Sequence, residues 1–166
     1  MENLLIKEPV KRVQEYIKKF DDKLEVLVLD SSARTAKDAA NSLKCEVGAI
    51  VKSLLFRTDS SFLICLISGD RRCSLNKLKK ILNKRDVSMA NADEVKLNTG
   101  FSIGGVAPVA HSKKLNILID KSLSRFNYVF AAAGHPNCIF KIDYNQLIKI
   151  TNGSVKEMSE WEKQNL

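Results

Sequence analysis

A lysine lies inside an apolar, strand-like segment of this sequence, at position 52 of the run 50–56 (IVKSLLF). Successive side chains of a strand point to opposite faces, and neither face of this run is polar. The run is therefore typical of a strand that is covered on both sides. An ammonium group placed there is costly unless an anion lies opposite it or it opens into a cleft. Lys52 thus predicts a pocket for an anionic ligand, and phosphate is the simplest candidate.

The size and composition of the chain favour one ordinary globular domain. A chain of 166 residues can form one well-covered core, so we expect a single domain over residues 1–166. Its 45% hydrophobic and 28% charged residues are typical of a soluble protein. No apolar run approaches the roughly 20 residues of a membrane helix. The first residues lack the apolar core of a signal peptide, so we expect a cytoplasmic protein without membrane contact.

The cysteines and histidines give no metal-binding pattern. Four cysteines, none in a C-x-x-C pair, accompany two histidines. Zinc sites and redox pairs normally show short ligand spacing, so we predict no metal and no cofactor. Cys65, in the apolar run 62–67, is interpreted as a small core residue.

Apolar spacing and turn residues predict short strands interleaved with short helices. The predicted helices cover 9–20, 35–43, 75–83, 92–98 and 143–150, and the predicted strands cover 24–29, 50–56, 61–68, 115–120, 127–133 and 137–142. Thr35 and Ser74 are predicted to cap the starts of two of these helices, and Gly100 is predicted to be the C-cap of the helix over 92–98. Segment 57–60 would close a hairpin, and segment 134–137 would join the last two strands. The pattern predicts an α+β (mixed α/β) fold with one mixed sheet. Trp161, in the short tail, is predicted to be a packing anchor.

The loop from Thr99 to His111 holds three of the seven glycines and one of the three prolines. Adjacent glycines, here Gly104 and Gly105, let the backbone approach a ligand and turn N–H groups into a cavity. Two such donors aimed at a carbonyl oxygen would form an oxyanion hole. The alternative, which spacing alone favours, is a bulged turn between two strands. His111 and His135 are candidate general bases, although a loop histidine is more often a hydrogen-bonded structural residue.

The net charge of +8 is spread unevenly along the chain, and one of its two basic clusters lies near the start, at Lys7, Lys11, Arg12, Lys18 and Lys19. From Arg71 to Arg85 there are seven basic residues and no acid. The run is interpreted either as a solvated helix face or as an electrostatic surface for a polyanion such as RNA. Composition does not decide between the two.

Three segments occur together in a specific order and spacing: Val51–Leu55, Met89–Asp93 and Thr99–Pro108. This combination resembles the YbaK/EbsC family, the free-standing relatives of the editing domain of bacterial prolyl-tRNA synthetase. The resemblance extends from about residue 24 to about residue 155. It implies a central mixed, curved, barrel-like β-sheet flanked by short helices.

The resemblance also implies a function, the hydrolysis of mischarged aminoacyl-tRNA in translation quality control. The expected substrate is tRNA-Pro or a related tRNA carrying a small wrong amino acid. By this resemblance Lys52 engages the 3′ end of the substrate and Gly104 polarises the scissile carbonyl through its backbone. The residues expected to shape the substrate pocket are Gly105, Pro108, His111, Gly134 and His135. The attacking group is a water, a ribose hydroxyl or the substrate's own side chain.

Two departures from the family pattern affect the expected substrate. Many relatives carry glycine where this chain has Ala110, and some carry Ser-Gly-Gly where it has Ala132, Ala133 and Gly134. An added methyl group narrows a pocket wall, and a hydrophobic pocket discriminates one methylene by roughly 1–3 kcal/mol. Such changes can therefore reset which amino acid is accepted.

The expected partner is the acceptor end of an aminoacyl-tRNA. With no synthetase core in 166 residues, the protein is expected to act in trans; docking on a synthetase and the oligomeric state stay open. Two alternatives remain, a non-catalytic aminoacyl-tRNA-binding module and a general RNA-binding protein that uses the Arg71–Arg85 stretch. The second lacks the aromatic platforms of single-strand binders, with only Phe101 near the glycine loop.

Overall fold

The apolar run that carries Lys52 forms the central strand of a mixed sheet. The computed structural model describes residues 3–30 and 35–163. The strands of these residues are β1 (Val26–Val28), β2 (Ile50–Thr58), β3 (Ser61–Ser68), β4 (Arg71–Cys73), β5 (Val87–Met89), β6 (Asn116–Asp120), β7 (Tyr128–His135), β8 (Cys138–Asp143), β9 (Ser154–Lys156) and β10 (Ser159–Trp161).

The main sheet has the strand order β1-β8-β7-β2-β3-β6-β9, and β5 pairs with β2 beside this path. Strand β2 is antiparallel to β3 and parallel to β7, so the sheet is mixed at its centre. The β6 and β9 strands extend it in parallel beyond β3. A separate antiparallel pair joins β4 to β10. The mixed α/β class predicted from the sequence is confirmed.

Five short α-helices lie around the sheet in the described part of the chain. They are α1 (Glu8–Phe20), α2 (Ala36–Leu43), α3 (Leu75–Leu82), α4 (Ala92–Thr99) and α5 (Tyr144–Thr151). The predicted N-caps are present, since Thr35 accepts from the Asp38 N–H and Ser74 from the Lys77 N–H. Gly100 ends α4 with φ +79°, as predicted. No described helix has both the length and the apolar character needed to cross a membrane.

Strand β2 is covered on both of its faces, as its sequence predicts. Val51 and Leu55 belong to the main core, together with Val13 and Ile17 of α1. On the opposite face, Phe56 packs in a second cluster beneath α3. The central strand is therefore fixed from both sides, which gives Lys52 a rigid base.

The structure corrects several details of the sequence prediction. The strand predicted over 24–29 covers only Val26–Val28, and the segment predicted as the turn 134–137 contributes Gly134 and His135 to β7. The three-residue strands β4, β5, β9 and β10 were not predicted, because so short a segment shows no clear periodicity. The prediction for Trp161 was wrong: its side chain is 61% exposed and does not anchor the core.

Candidate active site

One edge of β2 is left open in the middle of the sheet. Strand β7 pairs with β2 only at Ile50 and Val51, and β5 pairs with it only from Phe56 onward. Across residues 52–55 the described chain supplies no strand on this edge. Ala90 N–H donates to the Leu55 carbonyl from this side at 3.0 Å. Because backbone groups alternate between the two edges, those of Ser53 also point into the gap.

A cavity of about 510 Å³ opens at this gap. An open strand edge is accessible from both faces of the strand, so Lys52 and Ser53 reach the same cavity although their side chains lie on opposite faces. The other walls come from the glycine loop, the helices α2 and α4, the end of β5, strand β7, the start of β8 and the segments next to these elements. Their apolar or small members include Ala36, Val47, Met89, Ala90, Val95, Ile103, Gly104, Val106, Phe130, Ala131, Ala132, Pro136 and Ile139. The site is thus largely apolar, and the cations among its lining residues are Lys37 and Lys52.

Two oxygens hold the Lys52 ammonium group at the rim of the cavity. Lys52 Nζ donates to the Arg71 carbonyl and lies 3.2 Å from Glu162 Oε1. The Lys52 side chain is 24% exposed, so the charge faces partly into solvent. The anion that the sequence required opposite this lysine is here supplied by Glu162, which also lines the cavity.

Gly104 presents its backbone to the same cavity. Its φ is +93°, a conformation that disfavours any side chain, and a Cβ built there would meet only Pro136 Cγ at 3.6 Å. No acceptor within the described chain takes the Gly104 N–H. The Gly105 N–H, in contrast, donates to the Ser102 carbonyl at 3.0 Å. Of the two donors considered for an oxyanion hole, the structure therefore leaves the one at Gly104 available.

Gly105, Gly134 and His135 lie together behind this loop. The Gly134 N–H donates to the Gly105 carbonyl at 3.0 Å, and a Cβ on Gly105 would lie 2.8 Å from His135 N. The register of β7 against β8 shifts between Ala132 and His135, as at a β-bulge. His135 Nδ1 accepts the Asn137 N–H at 3.0 Å. Gly105, Gly134 and His135 support the glycine loop from behind and do not line the cavity, whereas the neighbouring Pro136 does.

Pro108 and His111 line a second cavity, of about 620 Å³, near the β2–β3 turn. His111 Nε2 lies 2.7 Å from the Ala107 carbonyl, a distance at which the neutral imidazole donates from Nε2. Burial lowers the pKa of His111, the Arg12 charge lowers it further, and the Ala107 hydrogen bond opposes both. Pro108 and His111 therefore do not line the Lys52 cavity, and the His111 side chain instead hydrogen-bonds within its own loop.

Ser53 is a site residue that sequence reasoning missed. Among the described residues, Ser53 Oγ and Thr58 Oγ1 are the buried side-chain polar atoms without a hydrogen-bond partner. An unpaired buried hydroxyl costs about 1–3 kcal/mol, and such groups require an explanation. Ser53 lines the Lys52 cavity whereas Thr58 does not. A hydroxyl next to a lysine in the sequence gave no signal, because the open strand edge depends on distant segments.

The basic stretch from Arg71 to Arg85 divides into two parts. Arg71 and Arg72 lie in β4, and Lys77 reaches the same region by donating to the Ser159 carbonyl at 2.8 Å. The remaining cations lie at the far end of α3 and beyond it, where Lys84 pairs with Asp59 at 3.1 Å. The stretch is therefore not one continuous helix face. Among the described residues, no group of three or more His, Cys, Asp or Glu side chains is placed to hold a metal ion.

Comparison with known proteins places the chain in a family. The family model described as an aminoacyl-tRNA editing domain matches residues 30–150. A crystal structure of a candidate trans-editing enzyme for prolyl-tRNA synthetase superposes with a TM-score of 0.88 and 35% identity, over 93% of this chain and 99% of the other. The hypothetical protein APE2540 superposes with a TM-score of 0.83 and 29% identity, over 90% and 99% of the two chains.

Two curated relatives differ in how much of their length is matched. The proline–tRNA ligase of Kosmotoga olearia is 37% identical over 100 residues, which are 60% of this chain but 17% of the ligase. The uncharacterised protein YwhH of Bacillus subtilis is 26% identical over 147 residues, 88% of this chain and 93% of YwhH. The match therefore spans a small part of the ligase and nearly all of YwhH.

Proposed function

This chain belongs to the aminoacyl-tRNA editing domain family, and we propose that it hydrolyses the ester bond of mischarged aminoacyl-tRNA. The observation that carries the proposal is the convergence of Lys52 and Gly104 on one cavity at the open edge of β2. A cation suits the terminal phosphate of the tRNA, and a free backbone N–H suits the carbonyl of the ester. The sequence predicts a pocket at Lys52 and a ligand-facing backbone at Gly104, and the structure has both residues in one cavity.

In the proposed reaction the 3′-terminal nucleoside enters beside Lys52, and the ester carbonyl accepts a hydrogen bond from the Gly104 N–H. A water or a hydroxyl of the substrate attacks the carbonyl carbon. The bond between that carbon and the ribose oxygen then breaks, and the ribose oxygen takes up the proton that the attacking group loses. With water as the attacking group, the products are a free amino acid and an uncharged tRNA. The chain's own contribution is to position the substrate and stabilise the developing oxyanion.

The walls of the cavity support a small amino acid as the one removed. Ala90, Ala131 and Ala132 line the same cavity as Gly104, and most of the other lining residues are apolar. The unpaired Ser53 hydroxyl is available to hydrogen-bond a polar group of the amino acid, such as its α-amino group. The relation to proline–tRNA ligases supports tRNA-Pro as the carrier. We extend the proposal to action in trans, on tRNA charged by the synthetase.

The remaining predicted residues take supporting roles in this proposal. Gly105, Gly134 and His135 hold the glycine loop at the bulge of β7, and Pro108 and His111 fix its other end. They act on the substrate by positioning Gly104. Because His111 lies in the other cavity, the proposed mechanism assigns it no proton transfer.

The test is a deacylation assay with a panel of charged tRNAs. The panel contains tRNA-Pro charged with alanine, cysteine, serine, threonine or proline, and release of the labelled amino acid is followed over time. Release from one or a few members, well above the spontaneous rate, is the expected result. Binding of charged tRNA without release from any member would instead favour the alternative of a non-catalytic aminoacyl-tRNA-binding module.

A further inference from the structure

The exposed Trp161 ring lies within a group of basic residues at the edge of the cavity. Its side chain is 61% exposed, an unusual state for the largest apolar side chain. Arg71 Cζ lies 4.4 Å from the centroid of the ring, and Arg125 Cζ lies 5.2 Å from it. The two guanidinium groups lie over the ring, and the residue as a whole remains mostly exposed.

The strand that carries Trp161 is firmly attached to the fold. The buried Asp120 carboxylate accepts from the Met158 N–H at 2.9 Å and from Ser159 Oγ at 2.6 Å. Ser159 in turn accepts from Arg71, whose Nε lies 2.6 Å from Ser159 Oγ. Although burial raises the pKa of Asp120, these and neighbouring hydrogen bonds together lower it, so the anchor is ionised at neutral pH. The Trp161 ring is thus preorganised.

Trp161 is connected to Lys52 by two short routes. In the β4–β10 pair, Trp161 lies opposite Arg71, whose carbonyl accepts the Lys52 ammonium. The residue after Trp161 is Glu162, whose carboxylate pairs with the same ammonium at 3.2 Å. The exposed ring and the cavity rim are therefore parts of one surface.

The charges around the ring favour an anionic partner. Three carboxylates in this region are already engaged: Asp70 with Arg125, Glu160 with Arg72 and Glu162 with Lys52. Arg71 and Lys77 instead bond to uncharged oxygens of Ser159, and neither has a carboxylate partner among the described residues. Arg71 over the exposed indole ring, and Lys77 bonded to the same strand, are suited to bind the phosphates of a nucleotide whose base stacks on the ring.

We propose that Trp161, with Arg71 and Arg125 beside it, is a stacking platform for the unpaired nucleotides that precede the aminoacylated end of a tRNA. This inference rests on the proposed function, because it places those nucleotides on the path to the Lys52 cavity. The sequence predicts no aromatic platform, because Phe101 is the only aromatic residue near the glycine loop. That ring is fully buried, and the platform lies on the C-terminal strand instead.

Binding can be tested without any catalytic activity, because Trp161 is the only tryptophan of the chain. The full-length protein is titrated with a short unpaired RNA ending in CCA, and intrinsic fluorescence reports directly on the ring. We expect saturable quenching by this RNA and much weaker quenching by a blunt RNA duplex of equal charge. Binding of the labelled RNA, seen by anisotropy, without a change in tryptophan fluorescence would overturn the proposal, as would a lack of binding.

Variants at the ring separate stacking from general apolar contact. Trp161→Leu is expected to weaken binding of the unpaired RNA roughly 5- to 150-fold, the factor for about 1–3 kcal/mol per stacked base. Trp161→Phe keeps an aromatic face and should retain most of the affinity. Tyr16→Ala is the matched control, since Tyr16 is an exposed aromatic near the opposite end of β2. Equal affinity of Trp161→Leu and the wild type would contradict stacking.

Kinetics distinguish failure of this inference from failure of the proposed function. Trp161→Leu should raise KM for charged tRNA and leave kcat unchanged, with no effect on hydrolysis of an aminoacyl-adenosine that lacks the preceding nucleotides. Hydrolysis of charged tRNA that is insensitive to Trp161→Leu would overturn the platform alone. RNA-dependent quenching in a protein that hydrolyses no ester would support the platform and overturn the proposed function.

Discussion

Glu162 Oε1 lies 3.2 Å from Lys52 Nζ at the rim of the cavity. In the proposed function a substrate phosphate meets this ammonium, so the Glu162 carboxylate would both fix Lys52 and compete with the phosphate for it. The pair is partly exposed, and such pairs contribute only about 0–1 kcal/mol to stability. A phosphate that enters with further contacts can therefore displace Glu162 at little cost.

Replacement of this carboxylate is expected to strengthen substrate binding. Glu162→Gln keeps the size of the side chain and removes its charge, so KM for charged tRNA should fall about threefold while the melting temperature changes little. Glu160→Gln is the matched control, because Glu160 in β10, two residues before Glu162, pairs with Arg72 in β4 at 2.8 Å. A KM that stays equal to the wild-type value, or rises, in Glu162→Gln would count against competition for Lys52.

The two adjacent glycines should respond differently to a methyl group. An alanine side chain would have space at position 104, but the φ of +93° would strain the backbone by about 1–2 kcal/mol. Relief of this strain would turn the N–H group away from its position. Alanine at 105 would place its Cβ 2.8 Å from His135 N. We expect Gly104→Ala to fold with kcat reduced about tenfold or more, and Gly105→Ala to lose much of its stability. Turnover and thermal melting measure both, and a fully active Gly104→Ala would remove the oxyanion role.

The unpaired hydroxyl of Ser53 predicts opposite effects on stability and activity. Ser53→Ala removes a buried group without a partner, so stability should be unchanged or rise slightly, by up to about 1 kcal/mol. Catalytic efficiency should fall about tenfold, because the substrate loses a hydrogen bond. Thr58→Val is the control, since it removes the other unpaired hydroxyl at a position outside the Lys52 cavity. If Ser53→Ala keeps full efficiency, its hydroxyl has no part in recognition.

The buried imidazole of His111 should make stability depend on pH. Its pKa is lowered in the folded protein, chiefly by burial, so the unfolded chain binds a proton more readily. The free energy of unfolding should therefore fall as the pH drops below 6.5, the ordinary value for this group. Urea denaturation between about pH 7.5 and 5.5 measures this slope. The slope should be shallower in His111→Gln, and an equal slope in that variant would assign it to other groups.

Local patterns in the sequence predicted the elements that frame the site. The alternation around Lys52, the cap residues Thr35 and Ser74, and Gly100 after α4 all depend on neighbours within a few residues. Each of these predictions is confirmed. The family resemblance through the Gly104 loop is confirmed as well.

The features that sequence reasoning missed depend on distant contacts. The gap beside Ser53 exists because β7 leaves β2 after Val51, and these strands are far apart in the chain. At Gly134 in β7, the backbone of Pro9 in α1 packs so closely that a Cβ built there would lie 2.8 Å from it. Trp161 is positioned by the pairing of β10 with β4, two strands of three residues each. No local pattern encodes these relationships.

The central claim is that the Lys52 charge binds the substrate for hydrolysis. Its most direct test is kcat/KM on the best charged tRNA of the panel for Lys52→Met, which keeps the stem and removes the ammonium. Lys77→Met is the control, since Lys77 bonds to Ser159 nearby but does not line the cavity. We predict a loss of about 100-fold or more for Lys52→Met, near 3 kcal/mol, and a much smaller loss for Lys77→Met. Wild-type efficiency in a folded Lys52→Met protein would contradict the account.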